Sequence, residues 1–244
     1  MEDVLMRLDK YLSNMGVGTR TEVKGMIRKG RVQVNGGVVK TPDIKIKPEE
    51  DAVSVDGETI TYEKYRYFMF HKPAGCITAT EDPMQKTVMD YFEVNKKDTL
   101  FPVGRLDKDT EGLLLVTDDG ALAHALLSPK KKIGKTYFAI IDGEVTEEDV
   151  VAFSKGLDLG NFTSMPAKLE IRKAGMVSEI IVTIYEGKFH QVKRMFEAVG
   201  KKVTYLKRLS MGALCLDENL SKGEYRPLTE EEIQMCKANL DGSK

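Results

Sequence analysis

From residue 67 onward, strand-like runs outnumber helical ones, and the two do not alternate strictly. Tyr67-Phe-Met-Phe70 opens the series, and residues 113–117, 135–141, 166–172, 178–185 and 202–208 read as further strands. Helical spacing is confined to 120–127, 146–155, 190–199 and 229–237. Strict strand–helix alternation is the mark of a doubly wound parallel sheet. Its absence predicts an α+β domain on a largely antiparallel sheet. Pro73 and Gly75 force a turn after the first strand. With 244 residues and 41% hydrophobic content, the chain has material for a real core and room for a small domain beside a medium one.

The first sixty residues have a different character. Leu5, Leu8, Leu12 and Met15 fall at helical spacing, with Gly16 as a stop. Thr19-Arg-Thr-Glu22 matches a capping box, in which hydroxyl and carboxylate satisfy free backbone amides at a helix start. Val23, Met26 and Ile27 continue as the apolar stripe, and Gly30 suits a left-handed stop. Arg31-Val-Gln-Val-Asn35 alternates as a strand, Asn35-Gly36 signals a tight turn, and Val53-Ser-Val-Asp-Gly57 supplies another strand. Residues 58–66 show no periodic core pattern and read as the link to the larger domain.

The net charge of −1 hides an uneven distribution. Residues 7–47 hold ten Lys or Arg against three acids, a local excess of seven positive charges. Arg7, Lys10, Arg20, Lys24, Arg28, Lys29 and Arg31 lie on or beside the two helices. Residues 186–208 hold seven more bases against Glu186 and Glu197. Clustered bases are the footprint that phosphate contacts need, whatever the total.

Other classes are disfavoured. No apolar run approaches the roughly 20 residues that cross a bilayer, and the start of the chain lacks a signal-peptide pattern. The expectation is a cytoplasmic protein without membrane contact. Cys76, Cys215 and Cys236 are scattered, as are His71, His124 and His190, so no metal site is expected. No phosphate-cradling glycine loop is visible, and nothing calls for a cofactor.

Chemistry is suggested by Phe101-Pro-Val-Gly-Arg105-Leu-Asp107-Lys-Asp-Thr-Glu-Gly112, a loop between strand-like runs. Asp107 lies two residues from Arg105, and a nearby cation favours an ionised carboxylate. Taken alone, the loop fits an ordinary acidic turn as well. Two further segments add to it: Lys135-Thr-Tyr137 on a strand, and Lys188-Phe-His190-Gln-Val-Lys193-Arg194-Met-Phe196 at a helix start.

In their order and spacing, these three segments resemble the pseudouridine synthases that modify ribosomal RNA, and most of all the RsuA-type, small-subunit branch. The N-terminal segment resembles the S-four-like (alpha-L) RNA-binding domain. The resemblance implies three parts: an RNA-binding domain over residues 1–58, a linker over 59–66 and a catalytic domain over 67–244. It implies isomerisation of uridine to pseudouridine without cofactor or metal. The partner is 16S rRNA or an assembling small ribosomal subunit, bound by a monomer.

By the same resemblance Asp107 is the catalytic carboxylate. Residue type does not choose between a nucleophile and a base. Tyr137 lies against the uracil ring. Arg105 displaces or holds the extruded nucleotide. Sister families place Arg where this chain has Lys193, as partner of the carboxylate. Lys193 takes that role first, with Arg194 as the alternate and otherwise an RNA contact. His190 reads as a structural or phosphate-contact group. Two alternatives stand: a sister enzyme acting on 23S rRNA, and a non-catalytic RNA-binding or ribosome-assembly protein.

Overall fold

The computed structural model describes residues 5–95 and 97–241. The chain begins with strand β1 (Met6–Arg7) and helices α1 (Leu8–Asn14) and α2 (Arg20–Arg28). Strands β2 (Val32–Val34), β3 (Gly37–Val39), β4 (Lys45–Ile46), β5 (Val53–Val55) and β6 (Glu58–Ile60) follow. The order β3-β2-β5-β6 makes a four-stranded antiparallel sheet, while β1 pairs with β4. The stripe expected from Leu5 to Met15 is helical only from Leu8. Arg7 is extended, bonds the Asp9 carboxylate through its side chain and pairs its backbone with β4, which leaves Leu5 exposed.

The capping box at Thr19 is formed. The Thr19 hydroxyl accepts from the Glu22 amide, and the Glu22 carboxylate accepts from the Thr19 amide at 2.8 Å. Asn35 and Gly36 both have positive φ, 52° and 80°, as a tight hairpin between β2 and β3 requires. Leu8, Tyr11, Leu12, Val23, Ile27 and Val53 share one small core.

The segment 59–66, read as a linker, carries structure at both ends. Residues 59–60 lie in β6, and Tyr62 stacks on Tyr11 with ring centres 5.7 Å apart. Arg66 bonds Asp118 at its other end. These contacts were invisible in a segment without periodicity, because each partner is distant in sequence. The chain divides between Tyr65 and Arg66 into two compact units.

The second unit contains β7 (Tyr67–Lys72), β8 (Phe101–Pro102), β9 (Glu111–Thr117), α3 (Gly120–Leu127), β10 (Lys135–Asp142), α4 (Glu147–Lys155), β11 (Lys168–Lys173) and β12 (Val177–Ile184). It continues with α5 (Gln191–Ala198), β13 (Lys202–Met211), β14 (Leu214–Cys215), β15 (Tyr225–Pro227) and α6 (Glu230–Asp241). Its strands form one sheet in the order β11-β12-β10-β13-β9-β7-β15, with β14 beside β13 and β8 beside β9. The unit is α+β on a largely antiparallel sheet.

Both faces of β7 and β9 are buried, and their alternation sorts side chains into two cores. Phe68, Phe70, Leu114 and Val116 join Phe153 of α4 and Phe196 of α5. Met69, Leu113 and Leu115 join Leu122 and Leu126 of α3 and Cys236 of α6.

Among the strands of the described residues one pairing is parallel, β9 with β13, and it is short: Glu111 opposite Lys207 and Gly112 opposite Arg208. This seam joins the β11-β12-β10-β13 half of the sheet to the β9-β7-β15 half. Gly112 sits there with φ of +105°, and a Cβ on it would lie 2.2 Å from the Arg208 carbonyl oxygen. Only glycine permits the two halves to approach this closely.

Candidate active site

The seam sets the site, because the loop entering β9 faces elements carried by the other half of the sheet. That loop is fixed from below by a buried cation. The ammonium of Lys72, at the end of β7, donates to the carbonyls of Pro73 (3.0 Å), Asp107 (3.1 Å), Lys108 (3.4 Å) and Thr110 (2.9 Å). Lys72 is fully buried, and burial pushes its ammonium below the usual lysine range. The loop has further ties. Thr78 Oγ1 donates to the Leu106 carbonyl at 2.7 Å, and the Gly75 amide donates to the Lys108 carbonyl at 2.7 Å.

Sequence reasoning passed over Lys72. The signal was a lysine ending the apolar run Tyr67-Phe-Met-Phe-His-Lys72, since a buried ammonium must find acceptors.

Across the seam, α5 brings Lys193 to the loop. Its ammonium lies 3.2 Å from Asp107 Oδ2 and donates to Asp109 Oδ1 at 2.6 Å. Burial disfavours the charged form of Lys193, but its bonds to Asp109 and Asp107 outweigh this and hold its pKa above the ordinary value. Burial likewise opposes ionisation of Asp109, and the Lys193 bond and charge reverse the balance, holding that carboxyl low. One cation thus serves two carboxylates. Asp107 is three-quarters buried, whereas Asp109 is largely exposed.

Arg194 points elsewhere. Its guanidinium donates to the Leu159 carbonyl and to Asn161 Oδ1, and lies 5.1 Å from the centre of the Phe162 ring. Successive residues on a helix leave it about 100° apart, so only one of this pair can face Asp107. The structure gives that position to Lys193.

Asp107 opens onto a cleft that Arg105, Tyr137, Lys188, His190 and Leu206 also line. Tyr137 is buried on β10, and Arg105 is exposed at the mouth. His190 precedes α5 in the left-handed region, with φ of 50°, and its Nε2 lies 3.7 Å from Asp107 Oδ1. The loop before it is held by buried Gln191. Its amide nitrogen donates to Glu186 Oε1 at 2.8 Å, and its Oε1 accepts from the Lys188 amide at 3.0 Å. The cleft therefore offers a carboxylate beside a cation, an aromatic wall and a basic rim. Such a set can hold a flat base and attack or deprotonate it.

The candidate RNA contacts of the first unit divide in two. Arg7 makes two bonds to buried Asp9, at 3.0 and 2.9 Å, Lys24 lies 3.8 Å from the same carboxylate, and Arg31 pairs with Asp56. Lys10, Arg20, Arg28 and Lys29 are exposed and form no ion pair among the described residues.

Residues 66–198 match the RNA pseudouridylate synthase family, and residues 6–53 match the S4 domain. An uncharacterized RNA pseudouridine synthase of Bacillus subtilis, YtzG, is 46% identical over 94% of this chain and 98% of its own. The ribosomal small subunit pseudouridine synthase A of Escherichia coli is 41% identical over 93% of this chain and 98% of its own. The same-named protein of Salmonella typhimurium is 43% identical over 93% and 98%. A crystal structure of a pseudouridylate synthase is 39% identical and superposes with a TM-score of 0.66, covering 95% of this chain and 99% of that one.

Proposed function

The chain belongs to the RNA pseudouridylate synthases and carries an S4 domain, and from that premise we propose that it isomerises a uridine of 16S ribosomal RNA with Asp107 as the catalytic carboxylate. The observation that carries the reading is the meeting of Asp107 and Tyr137 in one cleft, with Lys193 of a third element 3.2 Å from the Asp107 carboxylate. Small-subunit RNA is supported by the relatives named for that subunit, which align along nearly their whole length. On this reading the enzyme acts as a single chain in the cytoplasm, on rRNA or an assembling small subunit.

Pseudouridine formation breaks the bond between uracil nitrogen and ribose and rejoins the base through ring carbon 5, which gives up its hydrogen as a proton while the freed nitrogen takes one up. The target must first leave its stack. Arg105, exposed at the mouth, holds the extruded nucleotide there. The uracil ring lies against Tyr137, whose flat face retains the base while it turns. Asp107 attacks the anomeric carbon or ring carbon 6, or takes a proton from the sugar. Lys193 offsets its charge in each case. Lys10, Arg20, Arg28 and Lys29 bind phosphates, positioning the enzyme on RNA backbone and shape more than on sequence.

The test is to map pseudouridine in 16S and 23S rRNA with and without the protein, then to repeat the reaction with Asp107→Asn. We expect one 16S uridine to be converted by the wild type and none by the variant, with RNA binding retained. Conversion confined to 23S rRNA would move the enzyme to the sister branch. Variant turnover above about a tenth of wild type, roughly 1.4 kcal/mol of barrier, would remove Asp107 from the role.

A further inference from the structure

Phe189 is the largest side chain left open beside the cleft, with 69% of its surface exposed. A single exposed aromatic is unremarkable on a protein surface. This one is braced. Its ring lies face to face with that of His190, centres 3.7 Å apart and planes 18° from parallel. His190 is itself fixed. Its backbone sits in the left-handed region, which a non-glycine residue occupies only when its surroundings impose it. Gln191 ties the preceding turn to Glu186. From Asp107 outward the order is carboxylate, imidazole, phenyl ring, solvent.

The spacing of the two rings is close to the 3.4 Å rise per nucleotide of stacked DNA. A base placed on the open side of Phe189 would extend the series by one step. One cation adjoins Phe189 in sequence. Lys188 is exposed, lines the cleft and has no carboxylate partner among the described residues. A flat apolar face next in sequence to an ammonium without a carboxylate partner, itself 5.9 Å from the centre of the Phe162 ring, suits a nucleobase with its phosphate. It suits an aliphatic protein surface poorly, because docking there would desolvate the ammonium without compensation.

We propose that Phe189, braced by His190, is a stacking platform for an unpaired base of the RNA adjacent to the uridine that enters the cleft. The proposal rests on the reading of the cleft as a uridine site. When the target uridine leaves its stack, its neighbour loses a stacking partner. The platform replaces that partner and holds the strand open at the mouth. Stacking of one base on one aromatic ring corresponds to roughly 5- to 150-fold in affinity. The contact is made before and during the reaction alike, so its loss falls on KM and not on kcat.

The chain contains no tryptophan, so Phe189→Trp installs a single reporter in the full-length protein. A base stacked on indole quenches its emission, whereas burial against protein shifts the emission to the blue. Titrating the Phe189→Trp protein with 16S rRNA transcript should quench the signal to saturation, also in an Asp107→Asn background where no turnover occurs. Unchanged or blue-shifted emission overturns the platform, whatever the enzyme's activity. Steady-state kinetics supply the second arm. Phe189→Ala and Phe189→Leu should both raise KM roughly 5- to 150-fold with kcat within about twofold, while Phe189→Trp keeps KM near wild type. A Leu variant as good as wild type would show a plain apolar contact and defeat stacking. Wild-type protein that leaves every uridine unchanged would defeat the assigned reaction, yet the quench would still decide the platform.

Discussion

Replacing Lys72 by Met keeps the length of the side chain and removes the cation beneath the Asp107 loop. The losses can be worked bond by bond. The Asp107 carbonyl would keep a bond from the Thr110 amide at 3.1 Å, and the Lys108 carbonyl one from the Gly75 amide at 2.7 Å. The Thr110 carbonyl would lose a bond of 2.9 Å made in a buried setting. A hydrogen bond from a charged donor contributes about 1.5–3 kcal/mol, and a stranded buried carbonyl costs about 1–3 kcal/mol. Relief of the buried ammonium offsets part of this, since burial already disfavours its charged form. The net expectation is a destabilisation of about 2–4 kcal/mol. The larger effect falls on chemistry, because three of the four acceptors lie in residues 107–110. A shift of about 1 Å in Asp107 costs on the order of 100-fold in rate. Urea unfolding gives the first figure and single-turnover pseudouridine formation gives the second. A variant that loses less than about 1 kcal/mol and keeps its rate within about threefold would refute the clamp.

Lys193→Met should reduce kcat far more than Arg194→Met, because only the former strips Asp107 and Asp109 of their shared cation; equal defects in single-turnover rate would move the assignment. Lys135 is buried on β10 with its pKa lowered to about 8, chiefly by burial and then by Arg208. The unfolded chain therefore holds a proton there that the folded one has released between about pH 8 and 10.5, and stability from this group rises with pH across that window. Lys135→Met should remove that rise, so the stability difference between wild type and variant should change by about 1.4 kcal/mol per pH unit there; parallel urea profiles at pH 7 and 9.5 would contradict it. Removing residues 1–65 should flatten the dependence of rRNA affinity on salt, because phosphate neutralisation releases counterions; unchanged slopes in filter binding would deny the N-terminal bases that role.

The long elements were legible because each carries its own periodicity. The helix expected at 120–127 spans Gly120–Leu127, and the strand expected at 135–141 spans Lys135–Asp142. Of the two- and three-residue strands, β2 and β5 fall in the stretches read as strands at 31–35 and 53–57, while the others were not legible. Pairs such as β1 with β4 and β15 with β7 arise from backbone bonding to a partner the local pattern cannot name. The candidate site divides the same way. Asp107, Tyr137 and Lys193 came from the resemblance of three segments, which fixes residue identities but not directions. Whether Lys193 or Arg194 faces Asp107 depends on how α5 is rotated against β9, a tertiary fact. Lys72 was missed because its partners are main-chain carbonyls, which leave no trace in side-chain sequence.

The seam also sets an order in time. Lys193 follows Asp109, its partner across the cleft, by 84 residues. At ribosomal speeds of roughly 5–20 residues per second, that interval lasts about 4–17 s. During it β9 is added after β7 and the loop, while the cation of α5 and the seam strand β13 are still to be synthesised. The two acids spend those seconds next to each other without their counterion. The carboxylate loop thus precedes its cation in synthesis, and the pairing of Gly112 with β13 must wait for Arg208.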